Sequence, residues 1–277
     1  MDTGRLESRV GMGRIVAAML VCSLAGLPAR AETAQDRGKR IIDECVQALG
    51  GSKFLSLDNV VESGRAYSFY REQLNGLTIA RISRRFLNKV EDPSKKLAVL
   101  ERDDFGKKLD YGVLFQQDDA YEVTFRGARP LATERFERYK RTTVSDILYI
   151  LRERLHEPGL IFESRGADVW ENSPVEIVDI TDAQNQVITV YFHRTTKLPL
   201  REVWVRRDSA GKERNDEETI YMKYREVDGI QWPMSVQRSR NGEKIYQMFA
   251  DTLEINTKVP GQMFELPSGM KKLKPDQ

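Results

Sequence analysis

The chain is poor in the residues that most protein chemistry uses. Its 277 residues include two cysteines and two histidines, and its 44 Lys and Arg nearly cancel 42 Asp and Glu. Two cysteines cannot staple a disulfide scaffold, and two Cys with two His leave little for a zinc cluster. A formal charge of +2 gives no bulk electrostatic case for nucleic acid, which calls for a clearly basic domain. The motifs HExxH, CxxC, GxSxG and GxxxxGK[ST] are all missing. With 40% hydrophobic and 31% charged residues, the chain is too apolar for a disordered polymer and too polar for a multi-span membrane protein.

What is present begins with an address. Arg5, Arg9 and Arg14 precede Ile15–Leu27, which holds no charge, and Ala29-Arg30-Ala31 puts small residues where a signal peptidase reads. This pattern predicts a secretory signal peptide over residues 1–31, cleaved after Ala31. The apolar run is short of the roughly 20 residues that span a bilayer. A lipoprotein reading at Cys22 meets Val21 where a small residue is expected. Removing the segment takes away Arg5, Arg9, Arg14, Arg30, Asp2 and Glu7, leaving 246 residues with 40 charges of each sign. One thiol then remains, Cys45, which reads as a buried, inert group on a helix face.

Residues 32–277 read as one domain. Ile41, Ile42, Cys45, Val46 and Leu49 recur at helical spacing and predict a helix over Ala34–Leu49, stopped by Gly50-Gly51. From about Val60 the period becomes two. About eleven strands are expected, at 59–70, 77–87, 97–103, 110–116, 120–126, 161–169, 174–180, 186–193, 200–207, 217–227 and 230–256, the last a hairpin about Asn241-Gly242. Turn signals stand at Asn75-Gly76, Gln117-Asp118-Asp119, Asp228-Gly229 and Asn241-Gly242. Without βαβ alternation the sheet should be an antiparallel meander. One helical segment, about Thr143–His156, interrupts it and carries Val144, Ile147, Leu148, Leu151 and Leu155 on one face. So many strands must curl or close, and the insertion can cover the concave face.

Candidate chemistry is thin. His156 suits a helix C-terminus, where a cation is favoured. His193 ends a strand and is the one candidate general base, with no partner evident in sequence. Asp103-Asp104 and Asp216-Glu217-Glu218 lack calcium-loop spacing and read as solvated turns. The basic runs Arg81/Arg84/Arg85, Arg135/Arg138/Lys140/Arg141 and Arg206/Arg207 read as mixed charged outer faces, with Arg135–Arg141 also able to meet anionic lipid or an acidic partner. The positive signal is apolar. Both faces of the strands at 187–193 and 111–115 are greasy, which a half-wet antiparallel sheet does not need. Either an ordinary two-layer core or a hydrophobic cavity satisfies this pattern. Strand alternation nominates Tyr67, Phe69, Leu114, Tyr121, Val123, Phe125, Val190, Phe192, Val203, Val205, Ile220 and Met222 as cavity wall, with Ile147, Leu148 and Leu151 as lid.

Several spaced signals carry a family resemblance. These are Ala48-Leu49-Gly50-Gly51, Phe54-Leu55 with Gly64-Arg65, Thr196-Lys197-Leu198-Pro199-Leu200, Tyr224–Pro233 with its Asp228-Gly229, and Phe264-Glu265-Leu266-Pro267. Together they resemble the LolA/LolB-type periplasmic lipoprotein carriers and the wider LolA-like outer-membrane lipoprotein-sorting proteins. The resemblance implies a mainly β (α+β) half-closed antiparallel barrel of about eleven strands, with an N-terminal helix and an inserted lid helix, sheltering acyl chains. It implies a monomeric, non-enzymatic periplasmic carrier of lipid or lipidated protein, without metal, cofactor or nucleic acid. An envelope sensor or interaction module on the same fold, and a secreted hydrolase using His193, are the alternatives. The chain is longer than the small carriers, mainly in charged stretches near 70–110.

Overall fold

A computed structural model of the chain describes residues 31–88, 90–207 and 214–274. Residues 1–30 of the expected signal peptide, Cys22 included, lie outside the described residues. Helix α1 (Ala34–Leu49) has the bounds that its periodicity gives. Thr33 and Asp36 form a capping box, the Thr33 hydroxyl accepting from Asp36 N at 3.0 Å. At the other end Gly50 takes φ 128°, and the Gly50 and Gly51 amides donate to Gln47 and Val46 carbonyls, closing the last turn. The buried face is Gly38, Ile41, Ile42, Cys45, Val46 and Leu49. A single-turn helix, α2 (Ser52–Leu55), follows and buries Phe54.

The strands are β1 (Asn59–Tyr70), β2 (Gln73–Phe86), β3 (Val99–Phe105), β4 (Tyr111–Phe115), β5 (Ala120–Thr124), β6 (Gly127–Pro130), β7 (Ile161–Trp170), β8 (Ser173–Thr181), β9 (Val187–His193), β10 (Pro199–Arg207), β11 (Arg214–Val227), β12 (Ile230–Arg240) and β13 (Glu243–Ile255). They form one open antiparallel sheet in the order β6-β5-β4-β3-β2-β1-β13-β12-β11-β10-β9-β8-β7. The expected hairpin about Asn241-Gly242 accounts for two of the thirteen strands. The four-residue β6 is the strand that the periodicity missed. The chain starts mid-sheet, meanders out to β6, crosses to the far edge at β7, and meanders back until β13 pairs with β1. Whatever links β6 to β7 must therefore cross the sheet.

That link is helical, but not as one helix. Helix α3 (Thr133–Ser145) comes first, and the chain breaks at Asp146, whose ψ of 129° is extended. Asp146 then caps a second helix, α4 (Ile147–Tyr149), its carboxylate accepting from Leu148 N at 2.9 Å and Tyr149 N at 3.2 Å. The chain continues as a π-helical turn through Ile150–Arg154. The expected single helix over 143–156 is thus two elements with a bend between them. Arg154, 1% exposed, fixes the far end by donating to Glu157, the Val144 carbonyl and Asp182.

The main core lies between the helices and the inner face of the sheet. Ile41, Ile42, Leu49, Ile147, Ile150 and Leu151 pack there on Val178, Ile188, Val190, Phe192, Trp204 and Trp232. A second core lies on the opposite, outer face. Val61, Leu114, Val123 and Ala128 are covered there by Val259 and Phe264 from the C-terminal residues 256–274. The same tail seals the sheet edge, since Ala128 N donates to Lys271 O and Leu273 N to Ala128 O. This tail is why β4 is apolar on both faces.

Turn chemistry follows the left-handed preference of hairpins. Asp228-Gly229 (φ 52°, 79°) and Asn241-Gly242 (φ 51°, 81°) make the expected tight turns. Asn75-Gly76 does not. The first hairpin turns at Arg71-Glu72 (φ 48°, 61°), and Asn75-Gly76 runs inside β2.

Candidate functional site

The space between α3, α4 and the inner sheet face is a cavity of about 400 Å³. One part of its lining is aromatic and aliphatic: Phe54, Phe86, Leu148, Tyr149, Trp204 and Trp232. The remainder is charged, and the charges sort by wall.

The β1–β3 wall is acidic. Glu62, Arg84 and Glu101 stand on three adjacent strands, and Arg84 donates to both carboxylates. The flanking acids are 4% and 8% exposed. Burial opposes the Arg84 charge, and Glu101 and Glu62 more than restore it, so the guanidinium stays ionised. The triad therefore carries one net negative charge. Asp103 follows two residues after Glu101 on the same face, and its Oδ1 is buried without a hydrogen-bond partner. Burial first, then the Glu101 charge, push its carboxyl well above the usual range, which favours the protonated form.

The β10–β12 wall is basic. Glu217 accepts from Arg206 Nε and Arg240 Nε, each at 2.9 Å, leaving one net positive charge. Arg238 lies two residues before Arg240 on the same face. Its Nε is buried with no hydrogen-bond partner; burial opposes its charge, and Asp146, Tyr246, Tyr221 and Glu101 more than restore it. Helix α3 adds Arg135 and Arg138 at the rim, held by Glu122 and Glu134.

A third polar group roots the lid. Glu202, 1% exposed on β10, accepts from Ile147 N at 2.8 Å, and Tyr221 Oη donates to Asp146 at 3.2 Å. Burial, then the Asp146 charge, push the Glu202 carboxyl up to about 8.

The residues that alternation nominated are mostly elsewhere. Tyr67, Val203, Val205, Ile220 and Met222 lie half-buried on the outer face, opposite the cavity-lining Trp204 and Tyr221. Tyr67 packs edge-on against Phe249, and Phe69 lies beneath Lys244. Leu114, Tyr121 and Val123 belong to the outer core under the C-terminal tail. Phe125 is 85% exposed in the turn after β5. Val190 and Phe192 do face inward, but into the closed core beneath the helices. Of the lid residues Leu148 lines the cavity, whereas Ile147 and Leu151 are buried in the core. The structure therefore gathers one of the fifteen nominated side chains onto the cavity surface.

The charged runs also need correction. Arg84 and Arg206 point inward and are ion-paired, not spread on an outer face. Asp103 and Glu217 face the cavity, so neither acidic run is a pair of solvated turns. His193 Nδ1 accepts from Thr195 N at 3.2 Å and Thr196 N at 3.1 Å, which places its ring as a turn cap. Cys45 is fully buried, and burial pushes its thiol up. Among the described residues no cluster of His, Cys, Asp and Glu could hold a metal ion. Among them, too, no helix is long and apolar enough to cross a membrane.

No protein-family model and no curated protein matches the sequence. Solved structures do match the fold. A DUF1329 family protein from Desulfovibrio piger aligns with a TM-score of 0.57 and 13% identity, over 82% of this chain and 97% of its own. A putative outer membrane lipoprotein-sorting protein domain from Vibrio parahaemolyticus gives 0.53 and 11%, over 83% and 97%. A LolA superfamily protein from Nitrosomonas europaea gives 0.48 and 8%, over 82% and 96%. Identities this low speak to architecture alone. The open antiparallel sheet with helices across its inner face is the architecture shared with the first two of these structures, and it agrees with the half-barrel that the sequence resemblance implies.

Proposed function

We propose that the protein is an exported binding protein that carries an amphiphile, a lipid or lipidated segment, in the space between the sheet and the α3–α4 lid. The observation that carries this reading is the mixed lining of the cavity. Phe54, Phe86, Trp204, Trp232, Leu148 and Tyr149 offer an apolar wall beside two charged ones. A volume of about 400 Å³ falls within the range of small-molecule sites, about 300–1,000 Å³. Capture of a tail would be driven by apolar burial, roughly 25 cal/mol per Å² before ordering costs. Release then requires a membrane or partner offering a competing apolar surface. The shared fold with lipoprotein-sorting structures is consistent with this reading and does not specify the cargo. The test is native mass spectrometry of protein purified without detergent, with titration of a fluorescent fatty acid. A co-purifying lipid or saturable binding is expected; a clean apo protein with no affinity would sink the carrier reading.

A second reading, an envelope interaction module, rests on the first hairpin. Tyr70, Leu74, Leu77 and Ile79 are 65%, 57%, 58% and 46% exposed within ten residues of chain. Such a cluster is what an interaction surface looks like. A pull-down that recovers one stoichiometric envelope protein and no lipid would favour it, provided that L74D/L77D abolishes the capture.

A further inference from the structure

Two orphaned polar atoms of opposite character face the same cavity. Arg238 on β12 has a buried, unpartnered Nε, and Asp103 on β3 has a buried, unpartnered Oδ1. The two groups are near enough to act on each other electrostatically, yet they form no ion pair. Buried charges and polar atoms are normally satisfied, because leaving them bare is costly. Two more lining residues have a buried, unpartnered atom, Arg138 Nε and Tyr139 Oη, but Glu134 holds Arg138 through another nitrogen and Tyr139 is a neutral phenol. Among the described residues, Arg238 and Asp103 are thus the cation and the carboxyl left with such an atom and no ion pair across one opening.

We propose that this cavity recognises a zwitterionic head group, its acidic oxygens on Arg238 and its ammonium on Asp103. The inference rests on the amphiphile-carrier reading above and names the class of head. The walls support it. The triad Glu62–Arg84–Glu101 gives the β3 side a net negative charge, and Arg206–Glu217–Arg240 gives the β12 side a net positive one. A simple anion would meet the acidic wall, and a simple cation the basic wall. A head group with both charges lies along the field and leaves the cavity neutral. Arg238 can present two parallel N–H groups to a phosphate or carboxylate, which a lysine cannot. The ammonium would draw the proton off Asp103 and complete its pairing, so the site is satisfied only when filled.

Three probes sharing one chemistry at a time make the test: lysophosphatidylethanolamine, a monoacylglycerol of the same chain length, and glycerophosphoethanolamine. Binding is read by calorimetry on wild type, Arg238→Met and Asp103→Asn, with thermal melts of each. Wild type should prefer lysophosphatidylethanolamine over monoacylglycerol by about tenfold or more, the scale of one charge-assisted contact. Each substitution should erase that preference without changing monoacylglycerol affinity. Asp146 and Glu101 favour the Arg238 charge, so Arg238→Met can lower the melt, and its monoacylglycerol affinity is the readout that separates a lost head-group contact from a damaged fold: a fall in that affinity equal to the fall for lysophosphatidylethanolamine marks a purely structural arginine. Equal binding of lysophosphatidylethanolamine and monoacylglycerol, or a preference untouched by both substitutions, overturns the head-group site while leaving the carrier reading intact. Tight binding of glycerophosphoethanolamine alone keeps the head-group site and overturns the lipid-carrier reading. Failure of all three probes overturns both.

Discussion

Replacing Glu202 by Gln should flatten the pH dependence of stability, and the sign follows from the geometry. Glu202 is 1% exposed, accepts the Ile147 amide at 2.8 Å, and sits beside Asp146, Tyr221 and Thr219. Burial and then the Asp146 charge raise its carboxyl from 4.5 to about 8. Between those values the native chain holds a proton that the unfolded chain releases. Stability is therefore full below about pH 4.5 and falls as pH rises towards about 8. A slope near 1.4 kcal/mol per pH unit makes the total loss about 4–5 kcal/mol. Glu153, raised by burial to about 7, and Asp103 act in the same direction, so the wild-type slope should be steep. Gln keeps the volume and an acceptor for Ile147 but cannot ionise. Urea unfolding followed by the fluorescence of buried Trp204 and Trp232 at pH 5, 7 and 9 measures it. Glu202→Gln should lie within about 1 kcal/mol of wild type at pH 5, where both are neutral acceptors, and above it at pH 9. Parallel curves for the two proteins across that range would refute the argument.

Other consequences can be checked on the same purified protein. Gly38→Ala places a Cβ 2.6 Å from the Phe162 carbonyl oxygen, so α1 must back away from β7. It should cost about 1–3 kcal/mol in urea unfolding despite the better helix propensity of Ala. Arg154→Met leaves Glu157 and Asp182, with side chains 9% exposed, without their cation. A loss of about 3–5 kcal/mol is expected, against about 1 or less for a surface pair such as Arg65–Asp251. Cys45 should resist a thiol reagent in the native state and react only at the rate of unfolding, since its sulfur is buried and its thiolate disfavoured.

Local chemistry made the strands legible and left their orientation hidden. The bounds of β1 and α1 follow from period alone, because a half-buried strand and a surface helix each write their burial into alternate or fourfold spacing. The Arg71-Glu72 turn escaped because neither residue advertises a positive φ, whereas Asn75-Gly76 advertises one it does not use. The bend between α3 and α4 carried a readable signal, an Asp directly before Ile147-Leu148-Tyr149, which is a cap in mid-insertion.

The cavity was a different problem. Alternation divides a strand into two sets of side chains without saying which set faces the ligand. The apolar set was the natural choice for a lipid wall. On β4 that set belongs to the tail: Leu114 is apolar because Val259 and Phe264, about 150 residues later, cover it. The inner set carries acids and arginines that look like surface in isolation. Glu62, Arg84 and Glu101 become a buried triad only when the register places them side by side, and Glu217 becomes the centre of another when Arg206 and Arg240 arrive on either flank. Pairing across strands is what makes a charge tolerable inside. A charge that the register leaves unpaired is therefore informative in a way no sequence pattern is. Arg238 and Asp103 face the cavity beside Arg138, which Glu134 holds, and the neutral Tyr139 hydroxyl, and a ligand with one charge for each is the partner their placement lacks.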